Sequence, residues 1–207
     1  MNYDPDRHHR RSIRLNGYDY SQSGAYFVTV VTQDRECLFG EIAEEEMTLN
    51  EAGRMVQGVW EELSIHYPGV KADEFAVMPN HFHGLIVLVG AGPRACPDAG
   101  LSPVDAGPRA CPEKGQPQGV APTLSLPDVV HRFKTLTTKR YADGVKQLGW
   151  IPFDRRLWQR NYYEHVIRDD VSLNRIRQYI LDNPARWEFD RENPAATTLE
   201  PEDAWRD

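Results

Sequence analysis

VMPNHFHGLIV, residues 77–87, decides how the rest of the chain is read. Its apolar, β-branched character predicts a strand over 81–89. Pro79-Asn80 is a turn signal, and residues 70–78 before it read as another strand. Two strands joined by so short a turn pair antiparallel. The strand over 81–89 carries His81 and His83, and side chains two apart on a strand share one face. Two neutral imidazoles so placed can grip one divalent ion. Phe82 points into the opposite layer. A His-x-His by itself is as readily structural, one ring packed and the other solvated.

Working outward, AYFVTVVTQ (25–33) predicts another strand. Residues 48–66 carry Ala52, Met55, Val56, Val59, Trp60 and Leu63 at helical spacing, with Asn50 as a capping residue. A second helix begins near Leu126, where Pro127 and Asp128 suit a first turn. Val129, Val130, Phe133, Leu136 and Tyr141 form its apolar side. A last helix runs from about Ser172 to Asp182 and stops at Pro184, because the residue before a proline disfavours helix. The order strand, helix, strand, strand, helix, possible strand, helix predicts an α+β fold, an antiparallel sheet with helices packed on one face.

Residues 90–122 are rich in Gly, Pro and Ala, and AGPRACP at 91–97 recurs at 106–112. Two copies are too few for a solenoid, so the stretch reads as a flexible insertion. The chain has 207 residues, 40 % of them hydrophobic, which allows one domain with a sizeable core plus appendages. No apolar run is long enough for a membrane span, and the N-terminus has no apolar leader, which together predict a cytoplasmic protein. Three cysteines without close pairing suggest neither a disulfide framework nor a thiolate zinc site.

A net charge of −7 argues against nucleic acid until its distribution is read. Residues 188–207 hold seven acids against two arginines, and 41–62 hold seven against Arg54. The basic charge gathers in the arm 1–23, with Arg10, Arg11 and Arg14, and in 131–168, which includes Arg132, Lys139, Arg140 and Arg160. Local basic surfaces of this kind suit a phosphate backbone, although any single run also reads as a solvated face.

Two histidines do not complete a coordination sphere. In NRIRQYILDNPARW, Tyr179 and Asn183 are one helical turn apart and share a face. Asn183 offers a carbonyl oxygen, a hard ligand suited to Mg²⁺ or Mn²⁺. Tyr179 offers a phenol beside it, with Tyr162 and Tyr163 as rivals.

These residues carry a resemblance. PNHFHGLIV resembles the His-hydrophobe-His (HUH) motif of single-tyrosine transposases. WQRNYYEHVIRDD followed by IRQYILDNPARW resembles the C-terminal signature of the REP-associated tyrosine transposase group. The likeness runs from Gly24 to Trp187, interrupted by the 90–122 insertion; that insertion and the acidic tail 188–207 depart from the family's compact form.

The resemblance implies a ferredoxin-like, RRM-like palm. It also implies cleavage of hairpin-bearing single-stranded DNA by a tyrosine, leaving a 5′-phosphotyrosine and a free 3′-OH. It casts His81, His83 and Asn183 as ligands of Mg²⁺ or Mn²⁺ and Tyr179 as the nucleophile. Tyr162 and Tyr163, in the preceding block, pack or touch DNA, with Tyr163 as the DNA contact. The enzyme is expected as a monomer or homodimer. A descendant that binds DNA hairpins without cutting, or an unrelated metal hydrolase using the histidines alone, are the competing readings.

Overall fold

The structure, a computed structural model, describes residues 15, 17–89 and 124–199. The arm with Arg10, Arg11 and Arg14, the insertion 90–122 and residues 200–207 lie outside the described residues. Strand β1 (Gly24–Val31) leads to a hairpin of β2 (Gly40–Ala43) and β3 (Glu46–Leu49), then to α1 (Glu51–His66). Strands β4 (Val70–Val77) and β5 (His81–Leu88) follow, then α2 (Leu126–Leu148), β6 (Tyr163–Ile167), α3 (Asp170–Asp182) and a 3-10 turn at Pro184–Phe189. The main sheet is ordered β4-β5-β1-β6, with every neighbouring pair antiparallel. Without the hairpin, the order β1-α1-β4-β5-α2-β6 is the ferredoxin-like pattern that the resemblance implied. The β2–β3 hairpin was not foreseen. Its acidic turn places Glu44 and Glu45 at φ 52° and 65°, a two-residue mirror-image turn disguised by the surrounding charge.

The starts of α1 and α2 follow from capping chemistry. The Asn50 side chain accepts from Gly53 N at the head of α1, and Ser125 and Asp128 form a reciprocal capping box at the head of α2. Tyr26, Val28, Val30, Phe82, Ile86 and Leu88 alternate onto one face of the sheet. There they meet Val56, Val59, Trp60 and Leu63 of α1 and Val129, Val130, Phe133 and Tyr141 of α2. Gly84 lets the Trp60 ring approach; a Cβ there would lie 2.5 Å from the indole.

The expectation that all helices share one face needs correcting for α3. Phe27, Leu85 and Ile167 leave the opposite face apolar too, and Ile176 and Ile180 of α3 cover it. Central strands buried on both sides need two layers of cover. Arg177 forks onto both Asp73 carboxylate oxygens and ties α3 to β4.

The β1–β6 ladder contains an irregularity. Thr29 lies opposite Tyr163, but Thr32 bridges Trp158, so two extra residues bulge between them on the second strand. The Lys134 ammonium of α2 gathers the carbonyls of Gln159, Arg160 and Asn161 at 2.5, 3.3 and 3.2 Å. Burial pushes this lysine down to about 8. The bulge is therefore a specific structure, with its carbonyls turned toward α2 and Arg160 and Asn161 left exposed.

Candidate metal and tyrosine centre

The period of β5 turns His81 and His83 toward the α3 face, opposite Val31 and Thr29. Both rings are buried, and burial pushes each imidazole down to about 3, so both are neutral near pH 7. Their outer nitrogens are fixed by neighbours. The Asn80 amide nitrogen donates to the carbonyls of Arg35 and Glu192, which uses both of its hydrogens. Asn80 Oδ1 can then only accept, so His81 Nδ1, 2.9 Å away, carries the proton. This leaves the Nε2 lone pair of His81 pointing inward. His83 Nδ1 lies 2.8 Å from Thr29 Oγ1, a hydroxyl able to donate or accept as the ring requires.

The two Nε2 atoms stand 3.0 Å apart. Octahedral bonds of roughly 2.1 Å at right angles put two donor atoms roughly 3.0 Å apart, so the spacing suits adjacent ligands of one ion. Asp190 brings a carboxylate to the same point. Its Oδ2 is 3.6 Å from His81 Nε2, and one ligand atom from each of His81, His83 and Asp190 lies within 4.8 Å of the others. Its Oδ1 accepts from Glu192 N at 2.7 Å, which fixes the carboxylate plane. Burial pushes Asp190 up, and the neighbouring His83 opposes that.

Asn183 lies at the end of α3, buried against His81 and close enough to favour a charged imidazole. Its geometry nevertheless leaves Oδ1 without a hydrogen-bond partner. An orphaned buried carbonyl beside two neutral imidazoles and a carboxylate is a mixed N/O donor set that fits Mg²⁺ or Mn²⁺.

Tyr179 reaches the same face from α3. Its half-buried ring sits edge-on to His83 at 5.6 Å and to Phe27 at 6.1 Å, with the Arg186 guanidinium 5.7 Å from the ring centre. Tyr163 packs edge-on to Phe27 at 6.3 Å, on the histidine side of β6, whereas Tyr162 packs into the other layer. The structure thus gathers His81, His83, Asn183, Tyr179 and Tyr163.

It does not bring Arg132, Lys139 and Arg140 there, because α2 covers the opposite face. Arg132 lies over the Tyr67 ring at 4.7 Å, Lys139 is exposed, and Arg140 is forked onto Glu62 of α1 at 2.9 and 2.6 Å. Asp190 was missed, because its sequence neighbourhood reads as an acidic tail. The signal was Trp187: its ring stacks on His81 at 6.0 Å, and Asn193 Nδ2 donates to its carbonyl, so the chain beyond α3 packs on the core.

Among the described residues no helix is long and apolar enough to cross a membrane. No family model matches the chain. An uncharacterized protein of Haemophilus influenzae is 39% identical over 189 residues, covering 91% of this chain and 96% of its own length. A second protein of that organism, named "Putative REP-associated tyrosine transposase", is 25% identical over 168 residues, covering 81% and 74%. Among solved structures, a REP-associated tyrosine transposase bound to a REP hairpin overlaps 84% of this chain and 73% of its own, at TM-score 0.47 and 16% identity. A transposase described as putative, from Deinococcus radiodurans, overlaps 82% and 95% at TM-score 0.40 and 18% identity. Overlaps this partial add nothing to the fold described above.

Proposed function

We propose that the chain is a member of the REP-associated tyrosine transposase group, which its motifs and its 25% identity to the relative so named support, and that it cleaves and rejoins single-stranded DNA at hairpin sites, with Tyr179 as the nucleophile. Mg²⁺ or Mn²⁺ would be held by His81, His83, Asn183 and Asp190. The observation that carries this reading is the approach of the Tyr179 ring to His83, beside the orphaned Asn183 oxygen.

Tyr179 Oη attacks phosphorus, and the bond from phosphorus to O3′ breaks. The phenol gives up its proton and the departing O3′ gains one. The product is a 5′-phosphotyrosine with a free 3′-OH, and the reverse attack by a 3′-OH rejoins the strand. A divalent ion, when bound, neutralises the phosphate oxygens that would otherwise repel the nucleophile. Phe27 and the Arg186 guanidinium hold the tyrosine ring, and the α3 backbone fixes its distance from the histidines. Arg160 on the bulge and Tyr163 on β6 are the DNA contacts best placed for this site. Tyrosine and histidines meet within one chain, which supports a site complete in a monomer.

The test is covalent capture. A labelled single-stranded hairpin oligonucleotide incubated with Mn²⁺ should give a slower band on a denaturing gel, mapping to the Tyr179 peptide. Tyr179→Phe should abolish it while keeping the fold, because only one oxygen is removed. An adduct that survives Tyr179→Phe and maps to Tyr162 or Tyr163 overturns the assignment, and binding without any adduct favours a hairpin-binding protein.

A further inference from the structure

Lys134 of α2 is a half-buried cation, and among the described residues no carboxylate pairs with it. An ammonium has three donors, and the carbonyls of Gln159, Arg160 and Asn161 take all three. Lys134 therefore has nothing left to offer a phosphate. Arg132 and Arg140 of the same helix turn elsewhere, to Tyr67 and Glu62. In a regular strand, successive carbonyls alternate between its two edges. Three consecutive ones meet at a point only when a cation at the focus offsets the repulsion of their dipoles, and charge-assisted bonds are the stronger kind.

The bulge so held sits at the histidine end of the sheet. Gln159 N donates to Val31 O at 2.9 Å, and Val31 is the register partner of His81. Gln159 Nε2 donates to Thr32 O at 3.2 Å, and Thr32 N donates to Asn80 O at 2.8 Å. Bulges beside active sites re-aim side chains. Here the side chain is that of Arg160, which is exposed. Its direction is set by the peptide planes on either side of it. The carbonyls of those planes belong to Gln159 and Arg160, and Lys134 holds both.

We propose that Lys134 is a positioning residue: by drawing these three carbonyls together it aims Arg160 at a DNA phosphate beside the histidine centre. The inference rests on the function proposed above. Lys134 acts through Arg160, so its substitution should read out as the loss of a phosphate contact that it does not itself make.

The experiment measures equilibrium binding of the labelled hairpin oligonucleotide to the full chain, in EDTA and over a salt series. Arg160→Ala should weaken binding about three- to tenfold and make the salt slope shallower by about one, the mark of one lost phosphate contact. Lys134→Met keeps the aliphatic stem, removes the ammonium and should reproduce both changes. Added to Arg160→Ala, it should weaken binding by less than about twofold more, because the two residues act as one unit. Lys139→Met removes the same charge from an exposed position on α2 and should stay within about twofold of wild type. Amide hydrogen exchange over 159–162 should quicken in Lys134→Met and not in Arg160→Ala. If Lys134→Met melts too low to assay, Lys134→Gln, which keeps two donors, carries the same cycle. Undiminished binding by the Lys134 variant, losses that multiply in the double variant, an equal loss from Lys139→Met, or unchanged exchange over 159–162 would each overturn the proposal. So would an Arg160→Ala variant that binds as wild type does. Covalent capture by Tyr179 is read separately on the same oligonucleotide. A missing adduct with the Lys134–Arg160 coupling intact removes the proposed chemistry and leaves the positioning role standing.

Discussion

Thr29→Val gives a sharp test of the histidine centre. Thr29 is buried, and its hydroxyl is the 2.8 Å partner of His83 Nδ1. Valine keeps the shape and removes the hydroxyl. The first consequence is a buried imidazole nitrogen without a partner, which costs about 1–3 kcal/mol. For a chain of this size each kcal/mol lowers Tm by about 2–4 °C, so the metal-free variant should melt roughly 2–12 °C lower. The second consequence concerns the ion. Losing the outer partner of a ligating imidazole typically weakens metal binding about 10–100-fold, or about 1.4–2.8 kcal/mol. The assay is a Mn²⁺ titration by calorimetry, with thermal melts at zero and saturating Mn²⁺. Thr29→Ser keeps a hydroxyl and should recover most of the affinity. If Thr29→Val binds Mn²⁺ as tightly as wild type, or if Thr29→Ser is as weak as Thr29→Val, then the hydroxyl does not orient His83 and the reasoning fails.

Asp190→Asn preserves the bond to Glu192 N but removes the charge. Mn²⁺ affinity should fall at least as far as in Thr29→Val, with Tm of the metal-free protein nearly unchanged; unaltered affinity would take Asp190 out of the ligand set. In metal-free buffer the two histidines have folded values of about 3 against 6.5 unfolded, so their contribution is complete above pH 6.5 and is lost as pH falls toward 3. At pH 5 that is about 2 kcal/mol per independent ring, partly offset by the raised Asp190; Tm should drop by several degrees from pH 7 to pH 5, and a flat profile would contradict neutral burial. Gly84→Ala should destabilise by about 1–3 kcal/mol or more, because the new methyl meets the Trp60 ring; an unchanged Tm would mean that the indole moves freely. Arg140→Ala should lower Tm through the lost Glu62 pair and leave hairpin affinity within about twofold; a large affinity loss would place DNA on the α2 face.

The sheet was legible because its strands are apolar and its turns carry Pro-Asn and Asn caps. The histidine pair was legible from a period of two and the Tyr179–Asn183 pair from a period of four. The position of α3 was less so, since its sequence shows only one apolar stripe and does not say which face of the sheet that stripe covers. The clue lay in β1 and β5, which are buried at almost every residue and therefore need cover on both sides. Asp190 was hidden because charge counting treats residues 188–207 as one acidic unit, whereas Trp187 and Asn193 anchor its first part. The basic residues of α2 were counted correctly but could not be assigned to a face, and Arg140 turned out to be neutralised by an acid from α1, 78 residues away in sequence.

Asp190 and Glu192, whose carbonyl fixes the Asn80 amide and through it His81, have a consequence for the order of synthesis. Every strand and α-helix described here is complete by Asp182, yet the centre still lacks its carboxylate and the acceptor for Asn80 until ten residues later. A chain that folds as it emerges, N-terminal parts first, can therefore close its core before it can hold an ion firmly. Prematurely terminated products ending near Trp187 would be stable sheets without a finished centre. Under the function proposed above, DNA cutting would be withheld until translation has passed the last helix.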